Sequence, residues 1–192
     1  MSLPQTLQVA LKEWAVVCDA LAQGRQMILL RKGGVRETAG EFEVEHRQFL
    51  LFPTYEHQNL KMLKESEHGR YEPNTKEPSH VKISSAGEIT NIIQLASRAQ
   101  MDALDAEHVW TAPLIDMRFN YRPENPLYLL IVRAYWIPQA VSIPNTLAYA
   151  GCKSWVPLTE TIDLRGATPA IDDARFQQRC RHILETIANA PA

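Results

Sequence analysis

The sequence predicts an α+β protein in which N- and C-terminal helices flank a curved mixed or antiparallel sheet, within one domain over residues 1–192. Three observations carry this. Apolar runs of strand length recur in uneven pairs, at 26–32, 49–52, 81–84 and 128–137. No long crossover helices separate them, which disfavours a doubly wound parallel sheet. An apolar stripe at helical spacing stands near each end of the chain.

Taken in order, Leu7, Leu11, Trp14, Cys18 and Leu21 recur at helical spacing. Residues 6–22 therefore read as a helix that packs through Leu11, Trp14, Cys18 and Leu21, with Gly24 as its stop. The run 26–32 reads as a buried strand broken by Gly33-Gly34. Glu41 to Val44 alternate with a period of two. The strand at 49–52 ends at Pro53, and Tyr55 to Glu67 read as a short surface helix. Residues 68–80 carry Gly, two Pro and mixed charge and form a surface loop. Strands follow at 81–84 and 88–95 around Gly87, and a short helix at 98–108 leads to Trp110. Residues 128–137 are the strongest strand, and Pro138 and Pro144 bracket an edge strand or loop. Asp172 and Asp173 can cap a last helix, 172–189, with a stripe of Phe176, Cys180, Ile183, Leu184 and Ile187.

Composition bounds the function. With 45% hydrophobic residues and a net charge of −2, the chain is neither disordered nor a uniformly basic nucleic-acid coat. A local basic patch is still allowed. Cys18, Cys152 and Cys180 are odd in number and form no CxxC, so neither a disulfide framework nor a cysteine zinc site is indicated. Lys12 and Glu13 interrupt the first apolar stretch, which reads as neither leader nor membrane span. A cytoplasmic location is expected.

Motifs for phosphate loops, dinucleotide folds, zinc proteases, serine hydrolases and EF-hands are absent. Ser79-His80-Val81-Lys82 matches SxxK within a proline-rich loop, where chance explains it. No Lys follows an acidic residue at two positions' distance, which weakens a metal nuclease built on that pair.

Four constellations are present. Arg25, Arg31, Lys32 and Arg36 surround Gly33-Gly34 with no acid between them. This reads as a phosphate clamp or as a hairpin turn with solvated cations. As a clamp, Arg31, Lys32 and Arg36 should lie exposed beside the glycine backbone. Glu41, Glu43 and Glu45 share one strand face, either solvated, paired with nearby Arg, or holding a metal. A Pro-Thr-Tyr turn at 53–55 precedes Glu56-His57-Gln58, where a loop can carry function. Eight aromatics fall between 110 and 157 among four cations and two acids. Of these, Tyr121, Arg122, Lys153 and Trp155 are candidates for base stacking and phosphate contact.

The stretches LKEWAVVCDALAQGRQMILLRKGGVRE, FEVEHRQFLLFPTYEHQ, EHVW and YAGCKSWVPL resemble the bacterial domain-of-unknown-function family 1802, over nearly the whole chain. The resemblance implies no catalytic residues. Some family members are associated with an Mrr-type restriction endonuclease domain, which implies a restriction-system link. The opening is also similar to PUA-like barrels of the ASCH and EVE kind. There a helix ends in Gly followed by cations and the next strand ends Glu-x-Arg. Gly24-Arg25 and Leu30-Arg31 fit this pattern, while Leu29 stands where those families carry the acid.

These readings combine into a PUA-like nucleic-acid-binding module for a modified or unpaired base, using Arg31, Lys32, Gly33, Gly34, Arg36, Tyr121, Arg122, Lys153 and Trp155. Its expected partners are nucleic acid and restriction-system proteins. No cofactor, metal or membrane is expected, and the leaning is away from an enzyme. The alternative is a divergent metal-dependent nuclease or other hydrolase using Glu43, Glu45 and His57. That reading requires these groups, with Glu41 and His46, to meet in one pocket.

Overall fold

The computed structural model describes residues 3–32, 35–38, 41–71, 76–151 and 153–191, with backbone alone for 35–38 and 41–43. Strand β1 (Thr6–Trp14) leads directly into α1 (Ala15–Ala22), then β2 (Ile28–Arg31). The β3 (Val35–Thr38) and β4 (Glu41–Val44) pair forms a separate two-stranded sheet. Next come β5 (Gln48–Thr54), two short 3-10 turns, β6 (His80–Leu95), α2 (Arg98–Ala103) and α3 (Ala112–Asn120). The chain ends with β7 (Leu127–Pro144), β8 (Trp155–Asp163), β9 (Thr168–Pro169) and α4 (Asp173–Asn189). The main sheet has seven strands, in the order β2-β7-β6-β5-β1-β8, with β9 on the far end of β7. It is mixed, because β1 and β5 are parallel while the other neighbours are antiparallel. The fold is α+β, a curved open sheet with flanking helices.

Both faces of this sheet are apolar, because strand side chains alternate sides. Leu11, Phe49 and Leu51 join a core shared with α1 and α4. Their neighbours Ala10, Leu50 and Phe52 point into a second core with Val156, Leu158 and Ile162 of β8. The long β6 and β7 cross from one core to the other: Leu129–Val132 pack in the first, Ile137 and Ile143 in the second. Tyr149 plugs the second core edge-on to Phe52 at 5.7 Å, and its hydroxyl meets Thr159 Oγ1 at 2.9 Å.

The structure corrects several expected elements. The expected helix at 6–22 is a strand for its first half. β1 lies between β5 and β8 with a core packed on each of its faces, so adjacent Ala10 and Leu11 are both buried. Burial on both faces hides the alternation, and α1 prolongs the apolar spacing. Leu11 and Trp14 therefore belong to the sheet. Gly24 does end α1, at φ +66°. Gly87 does not divide two strands but lies within β6. The Phe49 ring covers it so closely that a Cβ there would come within 2.8 Å of a ring carbon. β5 runs through Pro53, opposite Glu13. β7 runs through Pro138, inside a bulge where the four residues between Trp136 and Val141 oppose the one between Ile83 and Ser85. The expected surface helix after Tyr55 is two 3-10 turns, Leu60–Met62 and Glu65–Arg70. Strand β8 and helix α3 were not foreseen. The Gly33-Gly34 break and Cys152 lie outside the described residues.

Helix α4 is capped by Asp172, which accepts from the Arg175 amide at 2.8 Å, and it buries Phe176, Cys180, Ile183 and Ile187. Arg179 ties it down by donating to Glu107 at 2.7 Å and to the Gly24 carbonyl at 2.5 Å. Cys18 and Cys180 are buried free thiols, and burial pushes both thiol pKa values up. No described helix is long and apolar enough to cross a membrane.

The EHVW stretch is structural. The Val109 amide donates to Gln26 Oε1 at 3.0 Å, and His108 is buried at 5% exposure. Burial, with the Lys64 charge, lowers the His108 pKa to about 4 from an ordinary 6.5. The unfolded chain therefore takes up this proton first on acidification. Stability is present above pH 6.5 and falls as the pH drops toward 4, by about 3 kcal/mol from this group. Urea unfolding at pH 7 and pH 4.5 should show this loss in the parent and a smaller one in His108→Gln. Equal losses would show that His108 is not the titrating group.

Candidate functional site

A cavity of about 320 Å³ opens where five segments meet. The end of β1 supplies Lys12, Glu13 and Trp14, and the end of β2 supplies Arg31 and Lys32. The turn after β5 gives Thr54, Glu56 and His57, α3 gives Met117 and Arg118, and the loop before β8 gives Gly151, Lys153 and Ser154. Five cationic side chains thus face two carboxylates.

Each wall is locally determined. Parallel pairing with β5 brings the end of β1 beside the Pro53–Thr54 turn. Glu77, from the loop before β6, holds that turn by accepting from Thr54 Oγ1 at 2.5 Å and from the Tyr55 and Glu56 amides at 2.8 Å each. Burial pushes the Glu77 carboxyl up, but these hydrogen bonds and the Lys12 charge outweigh it and hold its pKa below the ordinary value. Lys12 Nζ donates to the Tyr149 and Gly151 carbonyls at 2.9 and 3.0 Å, which secures the loop carrying Lys153. Lys32 Nζ caps α3 through the Arg118 and Phe119 carbonyls, at 3.2 and 2.7 Å. Carbonyls solvate Lys32 without neutralising it, whereas Lys12 is also ion-paired with Glu56 Oε2 at 3.6 Å.

Glu13 and Arg31 form a buried pair in the cavity wall, with Arg31 Nη1 at 2.8 Å from Glu13 Oε2 and side-chain exposures of 13% and 8%. Arg31 Nε and Nη2, and Arg118 Nε, are buried without a hydrogen-bond partner. An unmet buried donor costs about 1–3 kcal/mol, more when charged. Burial and the like charge of Arg31 pull the Arg118 pKa below its ordinary value, against Glu13 and Tyr121. Two like-charged guanidiniums thus meet at the cavity wall with donors unmet.

The expected site residues fare unevenly. Arg31, Lys32 and Lys153 do converge. Arg31 and Lys32, however, are not exposed as expected: Glu13 pairs the first and the end of α3 holds the second. Gly33 and Gly34, and the side chains of Arg36, Glu41 and Glu43, lie outside what is described. Arg25 is taken up by Glu67 and by Asp19, the latter at 2.6 Å, and lines no part of this cavity. Trp155 packs edge-on against Phe49 at 5.4 Å and His46 at 5.2 Å, away from the cavity lining. Tyr121 and Arg122 sit just beyond the cavity, at the end of α3. Sequence reasoning missed Lys12, Glu13, Trp14 and Arg118. A carboxylate and cations on adjacent strand ends was the available signal, hidden by reading β1 as a helix.

Among the described residues the hydrolase constellation does not assemble. His57 lines this cavity, whereas Glu45 and His46 line a separate one of about 940 Å³ with Glu88 and Arg133. Among the described residues no three His, Cys, Asp or Glu side chains group as metal ligands.

The family model described as "Domain of unknown function (DUF1802)" matches residues 10–182. Among solved structures, the crystal structure of ASCH from Zymomonas mobilis is similar at 10% identity and a TM-score of 0.43, over 95% of this chain and 95% of that one. A single-substitution variant of that protein aligns at 10% identity and a TM-score of 0.40, over 94% of this chain and 99% of that one. No curated protein matches.

Proposed function

This chain belongs to the DUF1802 family, whose description assigns no activity, and from its own cavity we propose that it binds nucleic acid through a phosphate held by Arg31, Arg118 and Lys153. The open donors Arg31 Nε and Nη2 and Arg118 Nε carry this reading. They belong to residues that line a cavity whose cations outnumber its acids five to two. A volume of about 320 Å³ suits one nucleotide. Trp14 and Met117 in the lining offer apolar surface to an unpaired or modified base. A restriction-system setting is part of the proposal and is supported by the family resemblance alone.

The test is binding of a labelled single-stranded oligonucleotide, followed by anisotropy between about 50 and 200 mM salt. Arg118 and Lys153 are replaced together by Ala, since neither carries the buried pair with Glu13. The double variant should bind at least tenfold more weakly. Its log–log salt slope should be shallower by about 0.7 for each lost contact. Unchanged affinity and slope in the folded variant would refute the proposal.

A further inference from the structure

We propose that the site takes at least two consecutive unpaired nucleotides, with the base next to the cavity stacked on Tyr121 and Arg122 meeting the adjoining phosphate. This deepens the phosphate reading of the cavity and rests on it. Tyr121 closes α3, and its amide donates to the Met117 carbonyl at 2.9 Å. Met117 and Arg118 line the cavity, so Tyr121 stands one helical turn outside it. Its phenol lies near enough to Arg118 to act on that guanidinium's charge.

The other tyrosines with described partners in the sheet and its core behave differently. Tyr128, Tyr135 and Tyr149 are all buried, whereas Tyr121 is 52% exposed beside Met117 at 43%. The Arg122 guanidinium lies over the Tyr121 ring, 5.3 Å from its centroid. An exposed ring with an arginine on one face is a platform on which a free base stacks and a phosphate is neutralised. A base held in a duplex cannot reach such a platform, so an unpaired strand is selected.

The backbone supplies an independent observation. Among the described residues, the non-glycine positions with positive φ are His57 at +61° and Arg122 at +47°. Left-handed backbone is unfavourable for both residue types and gathers where geometry serves a ligand. His57 lines the cavity, and Arg122 follows the platform residue. One strained position therefore stands in the cavity wall and the other beside the exposed ring.

Calorimetric titration of the full chain distinguishes this inference from the reading beneath it. The probes are adenosine 5′-monophosphate, the 5′-phosphorylated dinucleotide pApA, and two analogues of pApA that each lack one base. The monophosphate tests the cavity, and its failure to bind would overturn both readings. With the cavity confirmed, pApA should bind about tenfold more tightly than one of the abasic analogues, which carry the same charge. Tyr121→Ala should abolish that difference, and Tyr121→Phe should retain it. Equal affinity for pApA and both analogues in the parent, or a difference that survives Tyr121→Ala, would overturn the platform.

Discussion

Exchange of Glu13 for Gln is expected to destabilise the fold and tighten anion binding at once. Glu13 Oε2 accepts from Arg31 at 2.8 Å, and Oε1 accepts from the Trp14 amide at 2.9 Å. Glutamine can keep one acceptor but no charge, so Arg31 remains as a buried cation without its counterion. Removing one partner of a buried pair costs about 3–5 kcal/mol. For a chain of this size that lowers the melting temperature by roughly 10 °C. The same change removes one of the cavity's two carboxylates. Oligonucleotide affinity should rise about tenfold, with a steeper salt slope. Saturating oligonucleotide should restore more of the melting temperature in the variant than in the parent. A folded variant that binds more weakly would show that Glu13 aims Arg31 rather than competing with the ligand.

Replacing Arg179 with Met should loosen the C-terminal helix. Arg179 joins α4 to Glu107 before α3 and to the Gly24 turn after α1, with side-chain exposures of 17% for Arg179 and 12% for Glu107. Methionine preserves most of the apolar stem but leaves Glu107 as a buried unpaired carboxylate. The expected loss is about 3 kcal/mol or more, read as a lower urea midpoint with an unchanged m-value. Amides of α4 should exchange faster before those of β6 and β7, because the lost contacts belong to that helix. An unchanged midpoint would show that the apolar stripe alone holds α4.

Much of the sheet was legible because its strands announce themselves. Residues 28–31 and 127–137 are apolar, β-branched or aromatic, and period-two alternation marked Glu41–Val44. The stripe of α4 and its Asp172 cap were equally plain. β1 was misread because a strand covered on both faces loses its alternation. Residues 7, 11 and 14 then satisfy a helical period by coincidence. The prolines at 53 and 138 misled for another reason. A bulge or a parallel neighbour can accommodate a missing N–H, and neither is visible in one strand's own residues.

The site was legible as parts and not as a whole. Arg31, Lys32 and Lys153 were visible as cations beside a turn and aromatics. Their meeting with Lys12 and Arg118 depends on strand order, which brings residue 12 beside residue 154, and on the placing of α3, whose end Lys32 reaches at residue 119. Isolated cations were therefore countable in the chain, while the two open guanidiniums could be found only after folding.

The place of β1 between β5 and β8 constrains how the chain reaches this state. Thr6 pairs with Asp163, across most of the chain's length. During synthesis at about 5–20 residues per second, the first strand waits on the order of 10 s for its outer neighbour. Until then one of its edges offers unpaired amides and carbonyls beside the apolar Leu11 and Ala10, a surface that invites strand exchange with other nascent copies. Refolding from denaturant must close the same long loop, which places this protein among slow folders.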